Sequence, residues 1–180
     1  GPIGAYQNTL TGEVMLFAGP ASMIIARTKA EFLPALKRME EARQAGKWLA
    51  GYIAYEAGHL FEEKLAPFAE DNRKTPLLVF GVFDAPQPDG HPLARPRQRH
   101  ENEEFLTAPR AGWNFDIYKE RFDRLHRHLR LGDIYQANLT MPIVARWSGD
   151  PLAAFWSLID RQPVKYGAFA DLGGPIILSR

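Results

Sequence analysis

At 180 residues, 46% of them hydrophobic and 12% aromatic, the chain can bury a core of its own, and its length allows one domain or two small ones. A formal net charge of +1 supplies no field to draw nucleic acid or an anionic membrane. The lack of cysteine excludes disulfides, thiolate metal sites and a cysteine nucleophile; with no apolar run near the roughly 20 residues of a membrane span and no basic-then-apolar leader, the expected compartment is the cytoplasm.

Glu13 to Phe17 and Met23 to Ala26 are short apolar runs around Ala18-Gly19-Pro20-Ala21-Ser22, a pattern that predicts a two-stranded hairpin. Phe32, Leu36, Met39 and Arg43 share one face of a helix expected from about Lys29 to Ala45, with Gly46 as its stop. Trp48 to Tyr55 and Leu77 to Phe83 are aromatic and β-branched runs that read as central strands, and His59 to Ala69 between them reads as a helical turn or loop. Ala85 to Gly112 holds five prolines and the basic cluster Arg95, Arg97, Arg99 and His100. It predicts a long, partly disordered connector. The cluster has no interleaved aromatics and is followed by Glu101, Glu103 and Glu104, so it reads as a solvated loop, not a nucleic-acid arm.

Phe115, Tyr118, Phe122, Leu125 and Leu129 recur at spacings of three and four, which predicts an amphipathic helix over 115–131 with a core-facing stripe, stopped by Gly132. A buried strand is expected from Ile134 to Trp147, with Pro142 marking an edge or bulge. Asp150-Pro151 then opens a helix whose Leu152, Phe155, Trp156 and Ile159 pack inward. Lys165 to Leu172 and Pro175 to Ser179 form a hairpin turned by Gly173-Gly174. Strands predominate and helices sit between hairpins, so the fold class is α+β with a largely antiparallel sheet. Residues 14–84 form a first strand-helix-strand region, 85–112 the connector, and 113–180 the start of a second region.

Tyr135, Gln136 and Asn138 are polar groups inside that expected strand, where they cost free energy unless something binds them. Taken alone, Gln136 can pair with backbone, Tyr135 can pack into a core and Asn138 can satisfy a bulge. The residues themselves leave binding and structural roles open. Tyr55 and Glu56, at a strand end, read as structural. His126 and His128 are two apart on a helix, which points them about 200° apart, so they cannot chelate one metal. Phosphate loops, zinc spacings and catalytic-serine motifs are missing.

Helix, then Gly132-Asp133-Ile134-Tyr135-Gln136-Ala137-Asn138-Leu139-Thr140, resembles the signature of the chorismate-utilising enzymes, in particular their aminodeoxychorismate synthase component I (para-aminobenzoate) branch. Gly51-Tyr52-Ile53-Ala54-Tyr55-Glu56-Ala57-Gly58 is similar to the family's Gly-Tyr-x-x-Tyr-Glu-Ala-Gly segment. Arg161 to Ala168 resembles its Pro-x-x-Tyr stretch, and Ile176 to Arg180 the strand leading into its Ser-Pro-Glu motif. The resemblance runs from about Val14 to Arg180. It implies the N-terminal part of the anthranilate synthase component I-like fold, with the family's lysine stretch, its magnesium-binding glutamates and its substrate-carboxylate site expected beyond Arg180. It further implies amination of chorismate, Mg2+ as cofactor, and ammonia delivered by a glutamine amidotransferase subunit. The alternatives are anthranilate synthase component I, which also eliminates pyruvate, and a non-catalytic partner-binding module.

The same resemblance assigns candidate roles. Gln136 stands where the relatives that add water to chorismate carry a lysine as general base. A glutamine takes up no proton at neutral pH and suits ammonia, a nucleophile already competent, so Gln136 is the catalytic candidate. Tyr135 and Asn138 follow the para-aminobenzoate pattern, where anthranilate enzymes usually show phenylalanine and valine, and are substrate-pocket candidates. Met15 to Gly19 occupies the place of a Leu-Leu-Glu-Ser segment whose serine helps bind feedback tryptophan. That serine is absent here. Pro163 and Tyr166 match the other wall, with Gly167 in place of a methionine, so a vestigial tryptophan-type pocket is expected, with Tyr166 in the core.

Overall fold

The computed structural model describes residues 1–8, 11, 13–69, 73–89, 91, 93, 105–161 and 165–179. Among them run β1 (Ile3–Asn8), β2 (Glu13–Ala18), β3 (Ser22–Ala26), α1 (Lys29–Gln44), β4 (Trp48–Ile53), β5 (Leu78–Phe83), β6 (Leu106–Ala111), α2 (Phe115–Leu131), β7 (Ile143–Trp147), α3 (Pro151–Arg161), β8 (Tyr166–Asp171) and β9 (Ile177–Ser179), with short 3-10 turns over Tyr55–Leu60 and Ala66–Phe68. Every strand pairing is antiparallel. The α+β class expected from the pattern is the class observed. The chain divides into two compact units, residues 1–99 with 151–180, and residues 100–150.

In the first unit, strands run in the orders β2-β1-β8-β9 and β3-β5-β4. Strand alternation decides which way each side chain faces. Ala5, Leu16, Phe169 and Leu178 are cross-strand partners in the four-stranded sheet and lie against Leu152, Phe155, Trp156 and Ile159 of α3. One residue along, Phe17, Ala170 and Ile177 face the other way. Phe17 meets Trp48 and Phe83 of the second sheet at ring distances of 6.0 and 5.2 Å, and Ala170 packs with Val79 and Tyr52. The second sheet turns Ile24, Leu78 and Val82 toward Phe32 and Ala35 of α1. The layers are therefore α3, four-stranded sheet, three-stranded sheet, α1. Burial of side chains such as Phe32 and Phe155, both 1% exposed, stabilises the unit by about 1.5–3 kcal/mol each.

Close approaches require glycine at two positions. A β-carbon on Gly167 would sit 2.7 Å from Ile159 Cδ1, and one on Gly51 would overlap the Val79 carbonyl oxygen. The expected helix stops also hold. Gly46 and Gly132 have φ of 73° and 78°, and each ends its helix in the same motif: Gly46 N bonds Arg43 O and Lys47 N bonds Ala42 O, while Gly132 N bonds Leu129 O and Asp133 N bonds His128 O.

The expected hairpin of Glu13–Phe17 with Met23–Ala26 does not form. Both strands exist, but β2 pairs with β1 and β3 with β5. Gly19, at φ 65°, and Pro20 carry the chain from one sheet to the other. The partner that displaces the hairpin, β1, has the sequence IGAYQN, whose glycine, alanine and asparagine are poor strand formers.

The second unit is a two-stranded ribbon, β6-β7, and the helix α2. Strand β6 lies inside the stretch 85–112 expected to be a connector. Pro109 is accommodated because the pairing shifts register between Thr107 and Arg110, as proline in a sheet requires. Arg95, Arg97, Arg99 and His100 lie outside the described residues. The strand expected from Ile134 begins only at Ile143: Gly112 N bonds Pro142 O at 2.8 Å, β6 offers no partner beyond it, and 133–142 is irregular. Helix α2 keeps its expected bounds, with Asn114 Oδ1 accepting from Ile117 N at 2.9 Å. Its apolar stripe, however, is not core-facing within the unit, where none of the described residues is buried.

Gly51→Ala is expected to destabilise the chain by about 1–3 kcal/mol in urea unfolding, because the sheets must part to admit the methyl group. Gly174→Ala, whose added carbon finds only Tyr52 OH at 3.7 Å, is expected to leave the midpoint unchanged.

Candidate functional site

Tyr135, Gln136 and Asn138 follow the C-terminal turn of α2. His128 Nδ1 lies 2.8 Å from Asp133 Oδ2, so the segment leaves the helix with its first residue clamped. Beyond that clamp the chain is open to solvent. Tyr135 is 96% exposed, and Gln136 and Asn138 are exposed as well. The premise that burial forces these polar side chains to find a partner is thereby corrected, because no burial penalty arises in an irregular, solvated segment. The three side chains are accessible to a ligand, and they share one short stretch.

Tyr166 is the first residue of β8 and 63% exposed, not part of the core. Its ring carries Lys165 Nζ at 5.4 Å from the centroid. Pro163 lies outside the described residues. On the facing segment, Phe17 replaces the acidic member of the Leu-Leu-Glu-Ser pattern and is buried between the sheets. The polar wall of a tryptophan-type pocket is therefore replaced by packed aromatic surface.

A cleft of about 560 Å³ opens in the first unit where the end of β4 meets β8 and β9. Its floor is Gly51, Ala168 and Ala170, and its rim carries Tyr55, Glu56 and Arg73. Tyr6 OH donates to Gly51 O at 3.3 Å, tying the two sheets together beside it. Burial pushes the Tyr6 phenol up to about 12, partly opposed by that hydrogen bond. Arg73 Nη2 lies 2.8 Å from Glu56 Oε2, and Arg73 Nε donates to Thr75 O at 3.5 Å. The hydrogen bond from Arg73 holds the Glu56 carboxyl below the usual range. Glu56, read from the sequence as structural, thus stands in a charged pair at a cleft. Arg73 carried no signal in the sequence, since an isolated arginine in an irregular stretch has no period or motif to mark it.

Among the described residues, no group of three or more histidine, aspartate or glutamate side chains could hold a metal ion. The residues present do not fit Mg2+, and nothing below is routed through it. Among the same residues, no helix is long and apolar enough to cross a membrane.

The family model for chorismate binding enzymes matches residues 4–180. The chain belongs to the chorismate-binding enzyme family. Among curated proteins it is 27% identical over 154 residues to aminodeoxychorismate synthase component 1 of Escherichia coli (strain K12), a match covering 72% of this chain and 32% of that protein. The chain thus spans about a third of the length of this curated relative. No solved structure matches it significantly.

In this chorismate-binding family member, Tyr6 makes alkaline stability a test of the sheet contact. The phenol is neutral in the fold up to about pH 12 but ionises near 10 when unfolded. Stability is therefore fully present below pH 10 and falls as pH rises from 10 to 12, by up to roughly 3 kcal/mol. Thermal unfolding across that window should show the decline, Tyr6→Phe should flatten it, and the tyrosinate absorbance step near pH 12 should vanish in the variant.

Proposed function

We propose that the chain serves the amination of chorismate to 4-amino-4-deoxychorismate, the component I reaction of aminodeoxychorismate synthase in para-aminobenzoate and folate formation, in the cytoplasm. The observation that carries this reading is Gln136, accessible in the segment after α2, within a chain similar to an aminodeoxychorismate synthase component 1. In the exchange, the ammonia lone pair forms a C–N bond to the chorismate ring, the C–O bond of the 4-hydroxyl breaks, and water leaves with a proton from the incoming nitrogen. Ammonia needs no base to become a nucleophile. Gln136 cannot activate water, but its amide both donates and accepts hydrogen bonds and so can orient ammonia or the departing hydroxyl. Tyr135 and Asn138 flank it and are proposed to contact the substrate. Mg2+ and an ammonia-supplying glutamine amidotransferase subunit belong to the same proposal.

Two measurements test it. The 180 residues alone, given chorismate, Mg2+ and ammonium, are expected to form no aminodeoxychorismate. In the native protein, Gln136→Lys should lower amination at least about tenfold and introduce some isochorismate, because a desolvated lysine that loses its proton supplies a base for water. Chromatographic product analysis beside wild type decides. Unchanged amination would mean that Gln136 does not face the substrate.

A further inference from the structure

The cleft floored by Gly51, Ala168 and Ala170 shares no residue with the Gln136 segment or with the vestigial tryptophan-type positions, and its chemistry is specific enough to name a ligand class. Its volume, about 560 Å³, lies within the roughly 300–1,000 Å³ of small-molecule sites. The floor residues carry at most a methyl group, which leaves a flat apolar slot between the sheets. At the rim Tyr55 is 92% exposed, an aromatic face free to lie on a ring.

The polar groups are the sharper evidence. The Arg73 side chain is only 15% exposed, so its guanidinium is held in place. A guanidinium has five N–H donors. Contacts to Glu56 and Thr75 use Nη2 and Nε, and no partner among the described residues takes Nη1. Glu56 binds Arg73 through Oε2, which leaves Oε1 as an acceptor. One oriented cationic donor beside one anionic acceptor, above a flat apolar slot, matches a ligand that carries a carboxylate and a separate O–H or N–H on a ring.

We propose that this cleft binds a small cyclic carboxylate bearing a hydroxyl or amino group, with its carboxylate on Arg73, its ring over Gly51 and Ala168 against Tyr55, and its donor on Glu56. The assignment does not rest on the amination reading, because it uses none of the residues on which that reading depends.

The test uses 4-hydroxybenzoate, benzoate and phenol as probes, titrated into the isotope-labelled chain and followed by amide shifts. Saturable shifts at Tyr55 and Ser179 are expected with 4-hydroxybenzoate, with phenol weaker by at least about tenfold for want of the charge-assisted bond. Arg73→Gln should collapse the ratio of 4-hydroxybenzoate to phenol affinity toward one, which a general loosening of the cleft would not do. Tyr55→Ala, at an exposed position, should weaken both probes about equally. Equal affinity of phenol and 4-hydroxybenzoate for wild type, an unchanged ratio in Arg73→Gln, or no saturable shift with any probe overturns the proposal. Should Arg73→Gln fail to fold, the wild-type ratio and Tyr55→Ala decide: unchanged probe affinity in Tyr55→Ala overturns it equally.

Discussion

The absence of a side chain at Gly51 is the constraint on which the first unit depends. With a β-carbon there, the Val79 carbonyl would be displaced and the three-stranded sheet could not keep its register at Gly51 opposite Phe80. That register lets Tyr6 reach the Gly51 carbonyl, and it lets Phe17 insert between Trp48 and Phe83. Aromatic contacts of this kind contribute about 0.5–1.5 kcal/mol beyond buried area, so one missing methyl group conditions several of them. The cleft is a by-product of the same choice. Where glycine and alanine face each other across two sheets, space remains that larger residues would have filled.

What the sequence made legible divides along a physical line. Features set by a few adjacent residues were read correctly: the glycine stops at Gly46 and Gly132, the bounds of α2, the buried face of α3 and the final hairpin. Each depends on local dihedral preference or on a period within one element. Features set by partner choice were not. Nothing within Glu13–Ala26 says that β2 will find β1 on one side and β3 will find β5 in another sheet, because strand pairing is decided by competition among distant segments. The strand β1 itself escaped notice because Gly4, Ala5, Gln7 and Asn8 have little intrinsic preference for the extended state and are held there by β2 and β8 on both sides.

The site divides in the same way. The Tyr135–Asn138 segment was conspicuous because of its composition, yet the reason first given for its importance, burial, does not hold in the structure. Family resemblance, not desolvation, is what makes Gln136 the leading residue. Glu56 shows the opposite failure. Its place in a Gly-Tyr-x-x-Tyr-Glu-Ala-Gly segment was visible, but its partner Arg73 becomes a neighbour only through the fold. A pair of opposite charges brought together from an irregular stretch and a 3-10 turn leaves no periodic trace.

Helix α2 poses the remaining physical question, since it is well formed without a core behind it. Its stability must come from terms internal to the helix. The Asn114 cap contributes about 1 kcal/mol, the Lys119–Asp123 ion pair at 2.5 Å and the stacked Tyr118, Phe122 and His126 rings a few tenths each, and Arg121 over the Trp113 ring at 4.2 Å about 0.5–1 kcal/mol at an exposed site. Against these stands the general weakness of helices without tertiary packing, which at this length are marginal in water. The local terms fix where the helix begins and ends, and they do not by themselves account for a stripe as apolar as Tyr118, Phe122, Leu125 and Leu129. The stripe's periodicity is therefore an energetic reserve that the second unit alone does not use. The segment bearing Gln136 takes its exit direction from the last turn of that same helix.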